Sequence, residues 1–173
     1  MAVLVALSGL PGVGKTAVAR ILAARIGAMH LRVDSVEAAL TRSALGIENV
    51  MDAGYLTLAA VAGDNLRLGH DVIADTVNPV EQTRRLWSGT AASGMAQLVN
   101  VELACTDPAV HRTRVETRTS DIDGLRVPDW AMVQARRFDP WSEPRLVIDT
   151  AGATATACAD QIARHVAQLK TGG

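Results

Sequence analysis

Aromatic side chains are nearly missing from this sequence: one Phe, one Tyr and three Trp make up 3% of its 173 residues. A core without them must be filled by Ala, Val, Leu and Ile, as in a buried parallel sheet covered by helices. Cysteine is equally thin. Cys105 and Cys158 lie far apart with no metal-ligand spacing around them, which argues against a cysteine-based metal site and for small buried side chains in a reduced, cytoplasmic protein. Charge has no dominant sign. A formal net charge of -1 gives no general attraction to nucleic acid or to an anionic membrane, so neither is expected as a partner. Long apolar runs are lacking too. The opening MAVLVALSGL has no basic flank and runs straight into glycines, so it reads as a core strand rather than a signal peptide, and no other run is long enough to span a bilayer. With no repeat, low-complexity tract or linker, the chain reads as a single domain over 1–173.

What is present is an alternation of short apolar runs with helix-period segments. AVLVALS is followed by AVARILAARIG, with Val18, Ile21, Leu22 and Ile26 at helical spacing, and then by AMHLRVD. A helical region around Tyr55 to Leu68 leads to DVIADT, after which NPVEQTRRLW opens a helix with Asn78 as N-cap, Pro79 at its first position and Glu81 completing the start signal. The strand AQLVNVELAC, the helix TDPAVHRTRVETR, the turn-rich TSDIDGLRVPD, the strand RLVIDT and a helix carrying Ile162, Val166 and Leu169 complete the chain, with the terminal KTGG expected to fray. Five strands alternating with helices predict an α/β three-layer fold: a parallel sheet with right-handed crossovers and helices on both faces.

GLPGVGKT, Gly9 to Thr16, fills every fixed position of G-x-x-x-x-G-K-[ST] and lies between an apolar strand and an amphipathic helix. In that setting the backbone N–H groups from Gly12 to Thr16 converge on a phosphate at the positive end of the helix. Lys15 reaches the outer oxygens, Thr16 takes Mg²⁺, and Pro11 shapes the bend. The nucleotide-binding set is therefore Gly9, Pro11, Gly12, Val13, Gly14, Lys15, Thr16 and Ala17, with ATP and Mg²⁺ as cofactors. Asp75, at the carboxyl end of DVIAD, stands at the edge where open parallel sheets bind ligands and is the second candidate for the metal, whereas Asp71 at the strand's other end is expected on the surface.

Two P-loop classes are disfavoured. A GTPase needs N-K-x-D after a later strand, which is lacking, and DIDG at Asp121 to Gly124 follows an arginine-rich helix and reads as a turn. An AAA+ motor needs an additional helical domain, for which the chain has no room. The sequence instead resembles the small P-loop kinases of metabolites, nucleotides and antibiotics. The resemblance covers nearly the whole chain and is carried by GLPGVGKT, RVDS at Arg32 to Ser35, DVIADTVNP at Asp71 to Pro79, HRTRVETR at His111 to Arg118 and WSEPRLVIDTAG at Trp141 to Gly152. Within that set it is most similar to the compact zeta-toxin, gluconate-kinase and chloramphenicol-phosphotransferase-like enzymes.

The resemblance implies strand order 2-3-1-4-5, transfer of a γ-phosphate to a hydroxyl of a small molecule, and a mobile arginine-rich lid over about 108–128. It places Asp34 opposite the acceptor hydroxyl as catalytic acid or base, although Asp34 also suits a helix cap ahead of Ser35, with Glu37 completing a capping box. It gives Arg118 to the phosphates and Arg112 to the adenine, with Arg114 able to take either task, and it puts Thr150 and Gly152 in the turn beside the adenine. Trp87, near Arg84 and Arg85, is a candidate to line the acceptor pocket. The four histidines form no spaced cluster and are assigned no role. Two rival functions stay open. A 5'-hydroxyl polynucleotide kinase would need a basic channel beyond the site, and a nucleotide-binding switch would need an exposed apolar docking face.

Overall fold

The computed structural model describes residues 1–171. The first strand, β1 (Val3–Ser8), is fully buried and lies at the centre of a five-stranded parallel sheet of order β2-β3-β1-β4-β5. The other strands are β2 (Met29–Arg32), β3 (Val72–Asp75), β4 (Gln97–Ala104) and β5 (Leu146–Asp149). The alternation of a strand sends β1 in two directions. Val3, Val5 and Leu7 pack with Val18 and Leu22 of α1 (Lys15–Ile26) and with Ile162 and Val166 of α7 (Ala155–Thr171). Leu4 and Ala6 face Leu58, Ala62 and Leu66 of α3 (Ala53–Arg67) and Trp87 and Ala91 of α4 (Glu81–Ser93). The expected α/β fold, its strand order and its two helical layers are all present.

Local structure departs from expectation where tertiary packing overrides a cap signal. The helix α2 (Val33–Thr41) begins at Val33, with Arg32 in the cap position and no side-chain cap bond, so Asp34 lies inside its first turn and is not the cap ahead of Ser35. Asn78 is not the cap of α4, which starts at Glu81 behind Val80. Instead Asn78 adopts a left-handed φ of 48° and is buried. Its side-chain amide donates to the Leu7 carbonyl at 3.0 Å, its Oδ1 accepts from Trp87 Nε1 at 2.8 Å, and its backbone N–H donates to the Tyr55 hydroxyl at 3.1 Å. The Leu7 carbonyl has a second donor in the Thr76 hydroxyl at 3.1 Å, but the buried Trp87 indole N–H has Asn78 alone, and an unpaired buried donor costs more than an unmade exposed cap. Trp87 is correspondingly 0% exposed in the core, so it does not line an acceptor pocket. Asp71 is buried rather than on the surface, accepting from the Val3 N–H at 2.9 Å and pairing with Lys170.

The fraying expected of KTGG does not extend to Lys170 and Thr171, which belong to α7, and Gly172 and Gly173 lie outside the described residues. Beyond β4, Asp107 caps α5 (Pro108–Glu116) by accepting from the N–H groups of Ala109 and Val110. A short helix unforeseen from the sequence, α6 (Trp130–Gln134), follows the turn-rich segment, capped by Asp129 through Met132 N–H at 2.8 Å. No helix of the described residues is long and apolar enough to cross a membrane.

Candidate active site

At the carboxyl ends of β1 and β3 a cavity of about 590 Å³ opens between the glycine loop, α2 and the segment after α5. Its floor is Pro11, Gly12, Gly14, Lys15, Thr16 and Ala17, while Gly9 and Val13 are buried. Two glycines are dictated by space. A Cβ on Gly9 would fall 2.2 Å from the Leu103 carbonyl oxygen, and one on Gly12, whose φ is +87°, would fall 2.4 Å from Val115 Cγ2. Lys15, 9% exposed, donates to the Gly9 and Leu10 carbonyls at 2.8 and 3.0 Å. Burial pushes its pKa down to about 8, against the opposing pull of Asp75 and Asp34.

Asp75 ends β3 beside this floor, nearly fully buried. Burial alone would push its carboxyl up, but hydrogen bonds from His30 and Thr16 and the charge of Lys15 hold it below the ordinary range. His30 Nε2 lies 3.2 Å from Asp75 Oδ2, so a histidine the sequence left without a role braces the candidate metal carboxylate. The donor chemistry fits Mg²⁺ brought in with a nucleotide: one hydroxyl and one carboxylate in contact, and no group of three or more His, Cys, Asp or Glu among the described residues that would hold an ion alone.

Above the floor stands Asp34. Arg32 Nη2 and Arg118 Nη2 approach its Oδ2 at 3.5 and 3.8 Å, so Asp34 and Arg118, 84 positions apart in the sequence, meet in one cavity. Three residues along α2, Glu37 also lines the cavity, its carboxyl pushed up by burial and by the neighbouring Asp34. The segment over the cavity is latched by Asp121, whose carboxylate pairs with Arg20 of α1 and, at 2.8 Å, with Arg32 Nη1. Those two hydrogen bonds hold its carboxyl well below the usual range. The DIDG segment thus keeps its turn character and adds an ionic clasp that no local signal announces.

The helix α5 backs the glycine loop. His111 Nε2 donates to the Pro11 carbonyl at 2.8 Å, and Val115 fills the space over Gly12. Arg114 donates to the hydroxyl and carbonyl of Thr150 at 3.0 and 2.8 Å, and that hydroxyl reaches the Val13 carbonyl at 2.9 Å. Arg114 and Arg118 line the cavity. Arg112 does not: it is exposed and pairs with Glu116 at 2.7 Å on the outer face. Thr150 is buried against the loop, whereas Gly152 is exposed with open space around it. The residues that sequence reasoning passed over are His30, Arg32, His111 and Asp121.

A parallel 2-3-1-4-5 sheet with a phosphate-binding loop after its central strand defines a P-loop NTPase of the small-kinase fold. The chain belongs to the family described as AAA domain, whose model matches residues 4–139. Among the described residues, one sheet and its surrounding helices account for the fold, without the additional helical domain of an AAA+ motor. No curated protein sequence matches the chain. Solved structures of similar fold include a gluconokinase from Sinorhizobium meliloti 1021, 19% identical over 95% of each chain with a TM-score of 0.62. The Mycobacterium tuberculosis APS kinase in complex with AMPPNP and APS is 18% identical over 93% of this chain and 95% of that one, with a TM-score of 0.65. The tunicamycin resistance protein of Deinococcus radiodurans is 18% identical over 96% of both chains, with a TM-score of 0.66.

Proposed function

We propose that the protein is an ATP- and Mg²⁺-dependent kinase that transfers the γ-phosphate to a hydroxyl of a small molecule. The observation that supports this most directly is the convergence of Lys15, Asp75 and Asp34 on one cavity, with Arg118 reaching over Asp34. When bound, ATP supplies the phosphoryl group and Mg²⁺ draws off its negative charge. The N–H groups from Gly12 to Thr16 would receive the phosphate oxygens, and the Lys15 ammonium, now on the Gly9 and Leu10 carbonyls, would turn to them. Thr16 and Asp75 would hold the hydrated ion, with His30, 3.2 Å from Asp75 Oδ2, fixing the carboxylate. Asp34 orients the acceptor hydroxyl and takes its proton. Arg118 leaves its 3.8 Å contact with Asp34 to meet charge on the transferring group. Thr150 and Gly152 would flank the adenine, with Arg114 bracing their turn, whereas Arg112 would have to leave Glu116 on the outer face to reach it.

Acceptor-dependent ADP release across a panel of hydroxylated compounds, with Lys15→Ala as the blank, tests this reading. Slow ADP release that no hydroxyl compound accelerates would refute it.

A further inference from the structure

His111 is 6% exposed, lies outside the lining of the cavity and takes no part in the proposed transfer. Its ring is nonetheless fixed on three sides. Nε2 donates to the Pro11 carbonyl at 2.8 Å, and because a carbonyl can only accept, the shared proton sits on Nε2. A Cβ on Gly12 would fall 3.4 and 3.5 Å from the ring's Cδ2 and Nε2, so the ring lies against the Gly12 backbone. Trp130 of α6 packs edge-on against it, with ring centroids 5.1 Å apart. The helix that carries the ring is fixed as well: Asp107 caps its first turn, and Val115, one turn on from His111, closes the space beside Gly12.

Peptide planarity turns this contact into a statement about the cavity. The Pro11–Gly12 peptide is trans, so the Pro11 carbonyl and the Gly12 N–H point in opposite directions from one rigid plane. His111 holds the carbonyl on the α5 side of the loop, and the N–H is thereby turned to the other side, where Gly12 lines the cavity. Among the described residues the Pro11 carbonyl has no other donor and the Gly12 N–H has no acceptor. Gly12, lacking a Cβ, does little to restrict that plane by itself. We propose that His111 is a positioning residue of the phosphate site: it aims the Gly12 N–H at the β-phosphate of a bound nucleotide and, by drawing on the carbonyl of the same peptide, strengthens that N–H as a donor. The inference rests on the reading of the glycine loop as a nucleotide site, but it needs neither an acceptor nor turnover.

Gln and Met have the same reach and similar volume, but only the Gln side chain carries an N–H, so the pair separates hydrogen bonding from packing. The full chain with Mg²⁺ is titrated calorimetrically with ADP and with AMP as wild type, His111→Gln and His111→Met. His111→Met should weaken ADP by roughly tenfold, the worth of one hydrogen bond to a charged group, and AMP, which has no β-phosphate, by less than about twofold. His111→Gln should recover most of the ADP affinity. Thr113→Ala, on the exposed side of the same helix, should leave both nucleotides unaffected. In the amide proton spectrum the Gly12 resonance should move downfield when ADP binds to wild type and to His111→Gln, and less in His111→Met. Full ADP affinity in His111→Met would overturn the inference. Equal losses of ADP and AMP, or a His111→Gln variant no better than His111→Met, would overturn it too by reducing His111 to packing. Wild-type protein that binds neither nucleotide would sink the reading of the loop and the inference with it, whereas wild-type ADP binding that His111→Met leaves intact removes the inference alone.

Discussion

Lys15 and Arg118 face the same cavity, but Lys15 is 9% exposed and tied to two backbone carbonyls, whereas the Arg118 side chain is 24% exposed and 3.8 Å from its carboxylate partner. The same contrast runs through everything around them. The floor is backbone held by glycine geometry, β3 and α5. The rim is side chain held by side chain, through Asp121 with Arg20 and Arg32, and Arg42 with Asp123 at 3.6 Å. Buried backbone contacts resist local opening, while exposed ion pairs contribute little each and exchange readily. If the proposed kinase reading holds, a site divided in this way would keep its phosphate grip fixed while its cover opens and closes.

The contrast can be broken at the floor first. Lys15→Ala should leave a folded domain, seen as an unchanged far-ultraviolet spectrum, and lower phosphoryl transfer by at least roughly 10³-fold, since a fixed cation on the transferring charge is lost. Asp34→Asn comes next: nucleotide affinity should hold while acceptor-dependent transfer falls by roughly 10²–10⁴-fold, the contribution of a positioned base. Because Asp34 does not cap α2, its melting temperature should barely move, and unchanged transfer would remove it from catalysis.

Gly12→Ala tests whether α5 presses on the loop. The added methyl would meet Val115 at 2.4 Å with φ at +87°, so a loss of about 1–3 kcal/mol in stability or nucleotide binding is expected. Gly152→Ala has no neighbour within 4 Å and should leave the melting temperature unchanged.

The Lys15 pKa of about 8 carries a sign. Below pH 8 the ammonium is already formed and nucleotide affinity should be flat with respect to this group. Above it the free protein must take up a proton to bind, so affinity should fall by up to roughly tenfold per pH unit, and Lys15→Arg should abolish the bend. The smallest effect belongs to the rim. Asp121→Asn weakens a clasp whose carboxylate and Arg20 are half exposed while Arg32 is buried but keeps Asp34 at 3.5 Å, so a change of only a few-fold in KM is expected, accompanied by faster hydrogen exchange in residues 117–128 than in α5. Equal acceleration in α5 would mean that the cover and the loop's backing move as one body.

How much was legible follows the same division. The floor could be read because its requirements are local in sequence: a glycine spacing, a following lysine and threonine, and flanking periodicity at 3–8 and 15–26. Asp75 was legible from its position at a strand end. The rim was not, because an Asp121 clasp requires knowing that residues 20, 32 and 121 become neighbours, and nothing in DIDG specifies that. His30 escaped for a related reason. It approaches Asp75 only because β2 lies beside β3 in the sheet, with Arg32 in register with Asp75. The cap signal at Asn78 misled because the same side chain was needed by the Trp87 indole.

The central place of β1 also constrains the order in which the protein can be made. Its neighbours are β3 and β4, so β1 is made before either partner and remains unpaired until Val72–Asp75 and then Gln97–Ala104 have been synthesised. One apolar face then still waits for α7, more than 50 residues after β4. For most of synthesis VLVALS is an exposed apolar strand with two open edges, a segment prone to association before folding. Slow elongation through residues 10–104 would lengthen that exposure, whereas slow elongation within α7 would act on a chain whose sheet is already complete.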